Sequence, residues 1–332
     1  MKEVNIKQLA KQLNLAVSTV SRALNDSYEI GAETKKRVRE LARQLNYQPN
    51  PNASNLRKRS SKTIAVIIPE IANNFFTLVI DGIEEIAQEN GFHVLIYITH
   101  ENNAKEAAYC NLLRNGRVDG VLISMSGEVN DISHINALID SSIPLVFFDR
   151  ICEEAKTPKI TTNDYQSAYD GTLHLINKGC TQIAYLGISQ THSIGKARLT
   201  GYMDAMRNKG LEIKPDFIIK QSNYPQIEQL LSSPNRPQAI FAAVEQAALQ
   251  CYEVAAKLDL NIPNDLKVIS FSNLRTAPLL NPSLTTITQP AFDIGREAAK
   301  ALFGLLKKKF SCMENEIITL TSTLVEREST AG

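Results

Sequence analysis

Between Val17 and Asn25 the chain carries Ser18, Thr19, Ser21, Arg22 and Asn25 beside an apolar Val17. Serine and asparagine are poor residues for a helix interior, so their density in a helical segment needs a reason. An arginine can bond guanine O6 and N7 together, the commonest specific contact in the DNA major groove, and a valine can meet a thymine methyl. Short hydroxyl and amide side chains suit phosphate oxygens, which fix register and carry no sequence information. Val17, Ser18 and Arg22 are therefore the expected base-reading residues, and Thr19, Ser21 and Asn25 the expected phosphate contacts. The competing reading is a solvated polar helix in a helical bundle.

Other chemistry finds little support. No G-x-G-x-x-G follows a strand and no Walker A motif occurs. Ser193 and Lys196 match a Ser-x-x-Lys pattern, but the companion motifs of penicillin-recognising enzymes are missing. The five histidines (His93, His100, His134, His174, His192) lack metal-ligand spacing. The five cysteines (Cys110, Cys152, Cys180, Cys251, Cys312) are scattered without C-x-x-C, which reads as reduced thiols in a cytosol. No catalytic residue, metal or cofactor is expected. Residues 1–14 are charged throughout, unlike a secretory signal. No run of about 18 apolar residues is present, so no membrane span is expected.

The elements that would position these residues are short and legible. Asn5 and Gln8 have the spacing of a capping box, and Ile6, Leu9, Ala10 and Leu13 line one helical face. Asn14 tolerates the left-handed conformation of a tight turn. A second helix over 17–24 turns Val20 and Leu24 inward. A third over 32–45 turns Val38, Leu41, Ala42 and Leu45 inward. Two short helices on a tight turn, backed by a third, form a helix-turn-helix unit whose second helix enters the major groove by its N-terminal part. Charge agrees. Residues 1–62 hold 13 lysines and arginines against 5 acidic residues, and the remainder 23 against 30. A basic head on an acidic body implies that the head meets a polyanion.

With 332 residues, two or three domains are expected. From Thr63 the pattern changes to short apolar strands (63–69, 92–98, 118–124, 144–148) alternating with helices (75–89, 104–114, 131–141). After Ile160 the alternation resumes with helices at 167–178, 196–209, 225–232 and 246–258 and strands at 182–186, 216–220, 239–243 and 267–271. Such alternation predicts parallel sheets covered on both faces. The body then has two doubly wound lobes, crossing near 149–163 and again near 274–290. Ligands of such sheets bind at the carboxyl ends of the strands, here in a cleft between lobes.

Several strings carry a resemblance. Ile6-Lys-Gln-Leu-Ala10, Ser18-Thr-Val-Ser-Arg-Ala-Leu-Asn25, Glu33-Thr-Lys-Lys-Arg-Val38 and Asn46-Tyr-Gln-Pro-Asn50 resemble the N-terminus of the LacI/GalR family of bacterial transcription regulators. Phe75-Phe76, Val118-Asp-Gly-Val, Phe148-Asp-Arg150, Lys178-Gly179, Arg198-Leu-Thr-Gly201 and Leu284-Thr-Thr-Ile-Thr-Gln289 follow in the family's order. The resemblance spans essentially the whole chain. It implies an all-α helix-turn-helix head (1–50), a hinge helix and linker (51–62), and an α/β periplasmic-binding-protein-like effector domain of two doubly wound lobes (63–332). It also implies a cytoplasmic homodimer that binds near-palindromic double-stranded operator DNA, usually as a repressor, under control of a small-molecule effector such as a sugar. Seven residues, 51–57, are too few for an isolated helix. By resemblance they order on DNA, with Ala53 packing on the partner's hinge and Leu56 wedged into the minor groove; the plain alternative is a flexible tether.

By the same resemblance the effector cleft is lined by Asn74, Phe75, Phe76, Ser124, Asp149 and Arg150 from the first lobe. Ser193, Arg198, Tyr224, Ser272 and Gln289 come from the second. Phe75 and Phe76 have an equal alternative as core residues, and Asp149–Arg150 as a structural ion pair. The chain departs from the family at four places, one of them the hinge, where Asn52 stands for the usual bulky aliphatic and Ser54 for the usual Arg. Ala16 stands where a capping Ser or Thr is usual. Ser272-Asn273 replaces Asp-Asp, and Val244-Glu245 stands near the usual Asn-Asp. Ser272 cannot bond two sugar hydroxyls as a carboxylate does, so the expected sugar site is altered or the ligand differs. The alternative function is a solute-binding protein with no DNA role.

Overall fold

The structure is a computed structural model, and it describes residues 5–47, 60–127, 131–189, 192–307 and 315–332. The chain divides into two compact units, Met1–Ser61 and Lys62–Gly332. The hinge residues Ala53 and Leu56 lie outside the described residues.

In the first unit, α1 (Ile6–Leu13), α2 (Val17–Leu24) and α3 (Ala32–Gln44) enclose Leu9, Ala10, Val20, Ala23, Val38 and Ala42. The capping box forms: Asn5 Oδ1 accepts from the Gln8 amide at 3.1 Å and Gln8 Oε1 from the Asn5 amide at 2.9 Å. Asn14 closes α1 in the left-handed region, φ 53°, where asparagine is among the few tolerated residues. Ala16 heads α2 with no side-chain cap. Leu24 is partly buried and packs against this core, which Ala23 enters beside Val20.

The second unit holds two six-stranded sheets. The first has β1 (Thr63–Ile68), β2 (His93–Ile98), β3 (Gly120–Ile123), β4 (Leu145–Phe148), β5 (Lys159–Thr162) and β11 (Ile317–Leu320), in the order β11-β5-β4-β3-β1-β2, all parallel. The second has β6 (Ile183–Leu186), β7 (Ile218–Ile219), β8 (Ala239–Ala242), β9 (Lys267–Phe271), β10 (Thr285–Thr288) and β12 (Thr323–Val325), in the order β12-β10-β9-β8-β6-β7. Only β12 pairs antiparallel there. Successive strand residues face opposite sides: Ile64, Val66 and Ile68 enter one core, Ala65 and Ile67 another. In the first lobe α4 (Asn74–Glu89) and α11 (Ala291–Leu306) cover one face, α5 (Asn103–Leu113) and α6 (Ser133–Asp140) the other. In the second, α7 (Asp164–Asn177) and α8 (Ser193–Asn208) lie opposite α9 (Tyr224–Ser232) and α10 (Glu245–Lys257).

Some expectations need correction. The segment 216–220 is a 3-10 turn, Pro215–Phe217, followed by a strand of two residues. β5, β10, β11, β12 and α11 carry no prediction from sequence. The segment expected only to cross between lobes contains β5, a strand of the first sheet. The chain crosses three times, at 162–164, at 288–291 and at 320–323, because β11 rejoins the first sheet and β12 the second.

Candidate functional site

On α2 the buried Val20 and Ala23 fix the orientation of the opposite side. Val17, Ser18, Arg22 and Asn25 are exposed, and Thr19 and Ser21 partly so. At 3.6 residues per turn Val17, Ser18 and Arg22 fall within an arc of about 140°, on one side of α2. Arg22 pairs with Glu29 at 2.8 Å, both side chains well exposed. Such a pair stabilises by less than about 1 kcal/mol, so the guanidinium is easily released. Asn25 Nδ2 turns back to the Ser21 carbonyl at 2.8 Å. Among the described residues, no side-chain bond holds Val17 or Ser18 away from the surface.

The cleft residues gather as the doubly wound topology requires. Ser124 follows β3, Asp149 and Arg150 follow β4, Ser272 follows β9 and Gln289 follows β10. Asn74 opens α4 and Ser193 opens α8. Asp149 is buried, with φ 60°, and accepts from Ser124 Oγ at 3.2 Å. Burial pushes its carboxyl up to about 6, against the pull of Arg150 and Arg198. The alternative reading of Asp149 and Arg150 as an ion pair is met only loosely, with Asp149 Oδ2 3.9 Å from Arg150 Nε. Arg150 Nη1 bonds both oxygens of Glu101, at 2.7 and 2.8 Å. Burial works to raise Glu101, but Arg150 and the Gly127 amide hold it below the ordinary range.

Arg198 is almost wholly buried. Its Nε bonds Asp164 at 2.6 Å, its Nη1 bonds the Ala243 carbonyl at 2.6 Å, and its guanidinium carbon lies 3.8 Å from the Phe271 ring centre. Asp164 also accepts from Thr162 Oγ1 at 2.8 Å. Phe75 and Phe76 sit in the core of the first lobe, edge to face at 5.2 Å. Tyr224 packs on the core of the second. Links between lobes are long: Asn74 to Glu245 at 3.4 Å, Ser193 Oγ accepting from the Ile151 amide at 3.3 Å, and Arg150 to His192 at 3.5 Å. Gln289 reaches Thr162 at 3.4 Å across the strand crossings. Among the described residues no cluster of His, Cys, Asp or Glu could hold a metal, and no helix is long and apolar enough to cross a membrane.

Residues 5–50 match the family model of bacterial regulatory proteins, lacI family, and residues 61–326 that of periplasmic binding proteins and the sugar binding domain of the LacI family. The chain belongs to the LacI family of bacterial transcription regulators. Catabolite control protein A of Priestia megaterium is 31% identical, over 98% of this chain and 99% of that protein. The HTH-type transcriptional repressor CytR of Escherichia coli (strain K12) is 30% identical, over 91% of this chain and 89% of its own length. Among solved structures, the lac repressor dimer bound to operator and the anti-inducer ONPF has the same fold. Its TM-score is 0.87, with 21% identity and full coverage of both chains.

For this LacI-family regulator the structure adds residues that the sequence reading did not place in the cleft. Glu245, at the start of α10, sets its carboxylate 3.0 Å from Ser272 Oγ. The carboxylate missing at 272 is thus supplied from the neighbouring strand end. The two departures noted at 244–245 and 272–273 were the available signal, but only the parallel pairing of β8 with β9 joins them. Glu101, Asp164 and His192 had no sequence signal, since each is defined by an arginine that the fold brings to it.

Proposed function

We propose that this regulator represses transcription as a cytoplasmic homodimer on a near-palindromic operator, and that a small molecule held between its lobes controls operator affinity. The observation that carries the reading is the exposed side of α2 on a strongly basic head, with Val17 and Ser18 at its start and Arg22, in a weak exposed pair with Glu29, in its last turn. A two-fold dimer reads two half-sites and so favours a palindrome. The open edge strand β2, with its exposed apolar Leu95 and Ile96, supports contact with a second copy. Thr19, Ser21 and Asn25 set register on phosphates. The domains run 1–50, 51–62 and 63–332, and in the hinge Ala53 pairs with its partner while Leu56 wedges the minor groove.

Asn74, Ser124, Asp149, Arg150, Ser193, Arg198, Ser272 and Gln289 form the effector site, with a sugar or sugar derivative as ligand. The long bonds between lobes support a cleft that opens and recloses about its three crossings. Footprinting of the full chain on genomic fragments tests the proposal. Protection of two inverted half-sites about one helical turn apart, or a multiple of it, is expected. Binding that is electrostatic only, with no preferred site, would refute it.

A further inference from the structure

Resting on the reading of the cleft as the effector site, we infer that it selects uncharged, hydroxyl-bearing effectors and rejects phosphorylated or carboxylated ones. In this inference Arg150 Nε and His192 Nδ1 donate to an oxygen of the effector, and Glu101 and Asp164 withhold the two arginines from any anion. The argument begins with two atoms. Arg150 and His192 are each more than nine-tenths buried. Arg150 Nε and His192 Nδ1 have no hydrogen-bond partner among the described residues. A buried polar group without a partner is costly, about 1–3 kcal/mol.

The chemistry of the missing partner follows from the ring. His192 Nε2 lies 3.5 Å from Arg150 Nη1, and a guanidinium can only donate. Nε2 therefore accepts, and the imidazole proton sits on Nδ1. Burial, reinforced by Arg150, holds the ring neutral by lowering its pKa to about 4. Both orphan atoms are thus donors, flanking one arginine–imidazole contact. The group that satisfies them is an acceptor oxygen.

Charge then decides which oxygen. Arg150 gives Nη1 to Glu101, and Arg198 gives Nε to Asp164 and Nη1 to a carbonyl. Asp149 Oδ2 is already 3.9 Å from Arg150 Nε, so an anion on that atom would sit against a carboxylate. Glu245 adds another carboxylate across the cleft, bonded to Ser272 and Asn74. The two guanidiniums are already paired with three carboxylates, Glu101, Asp149 and Asp164, and Glu245 adds a fourth to the cleft. A phosphate would add a like charge in a water-poor space, where repulsion is strongest. A hydroxyl, ether or carbonyl oxygen satisfies the donors without adding charge. Neighbouring hydroxyls can donate to the carboxylates in charge-assisted bonds.

Thermal unfolding of the full chain with matched pairs tests this: ribose and ribose 5-phosphate, glucose and glucose 6-phosphate, adenosine and adenosine 5′-phosphate, and inorganic phosphate alone. At least one uncharged member should raise Tm, its phosphorylated counterpart should bind at least about tenfold more weakly, and inorganic phosphate should leave the protein unmoved. Glu101→Gln frees Arg150 and should let inorganic phosphate raise Tm. Asp149→Asn removes the competing carboxylate and should do the same, which keeps the test usable if one variant folds poorly. Tighter binding of any phosphorylated member, an equal phosphate response in the unaltered protein, or no response to any pair would overturn the inference. Operator binding is scored separately by gel shift. A chain released from its operator by a sugar phosphate keeps the regulator reading and loses this one.

Discussion

Asp149 and His192 flank the guanidinium of Arg150 and are driven from their ordinary titration in opposite directions. Asp149 is raised to about 6, chiefly by burial, so the folded chain holds its proton where the unfolded chain has lost it. That contribution to stability is full below the ordinary carboxylate range and is lost as pH rises through about 6. His192 is lowered to about 4, chiefly by burial, so its contribution is present above the ordinary imidazole value and is lost as pH falls through about 4. Between about pH 4 and 6 the two slopes oppose. Relative to the unaltered protein, Asp149→Asn should gain stability with rising pH and His192→Gln should lose it. Each slope should reach at most about 1.4 kcal/mol per pH unit. Urea unfolding across this range reads both, and parallel curves for all three proteins would disprove the assignment. Exposure at the surface was legible in sequence: Val17, Ser18 and Arg22 stand exposed, as a helix with Val20 and Ala23 inward requires. Chemistry inside the cleft was not. Arg150 beside Asp149 reads as a local pair, whereas the fold gives its Nη1 to Glu101, 49 positions away.

At the scale of elements, period and turn residues carried most of the fold. Apolar runs such as Ile64–Ile68 and Ala239–Ala242 are buried on both faces, and a parallel sheet needs that. The later elements escaped for a physical reason. β5 and β10 are short and threonine-rich, and α11 leaves a strand of one sheet to cover the other, which breaks the local β-then-α logic. That crossover depends on glycine. A Cβ on Gly82 of α4 would collide with the Phe292 carbonyl, and one on Gly295 of α11 with the Val79 carbonyl. The two helix backbones therefore meet at close range, and neither can recede without opening the core around Ile83, Ile294 and Ala298. Gly295→Ala should destabilise the effector domain by about 1–3 kcal/mol while leaving the head folded. Chemical unfolding followed separately for the two units measures it. A gain in stability from the alanine's better helix propensity would show that the helices have room.

Across the whole molecule, a basic unit of residues 1–61 and an acidic unit of residues 62–332 divide the work. The basic surface supplies affinity for any DNA, through released counterions and without sequence. In the proposed function selectivity comes from α2, where Arg22 is the side chain assigned to a base edge. Its ion pair with Glu29 is exposed and weak, and base edges can replace it. The direct measurement is fluorescence anisotropy of the full chain on its footprinted operator and on a scrambled duplex of equal length, at fixed salt, for the unaltered protein and Arg22→Ala. A loss of about 1–3 kcal/mol on the operator, with scrambled DNA bound nearly as before, is predicted. Equal weakening on both duplexes would mean that Arg22 touches only phosphate and that α2 does not read sequence through it.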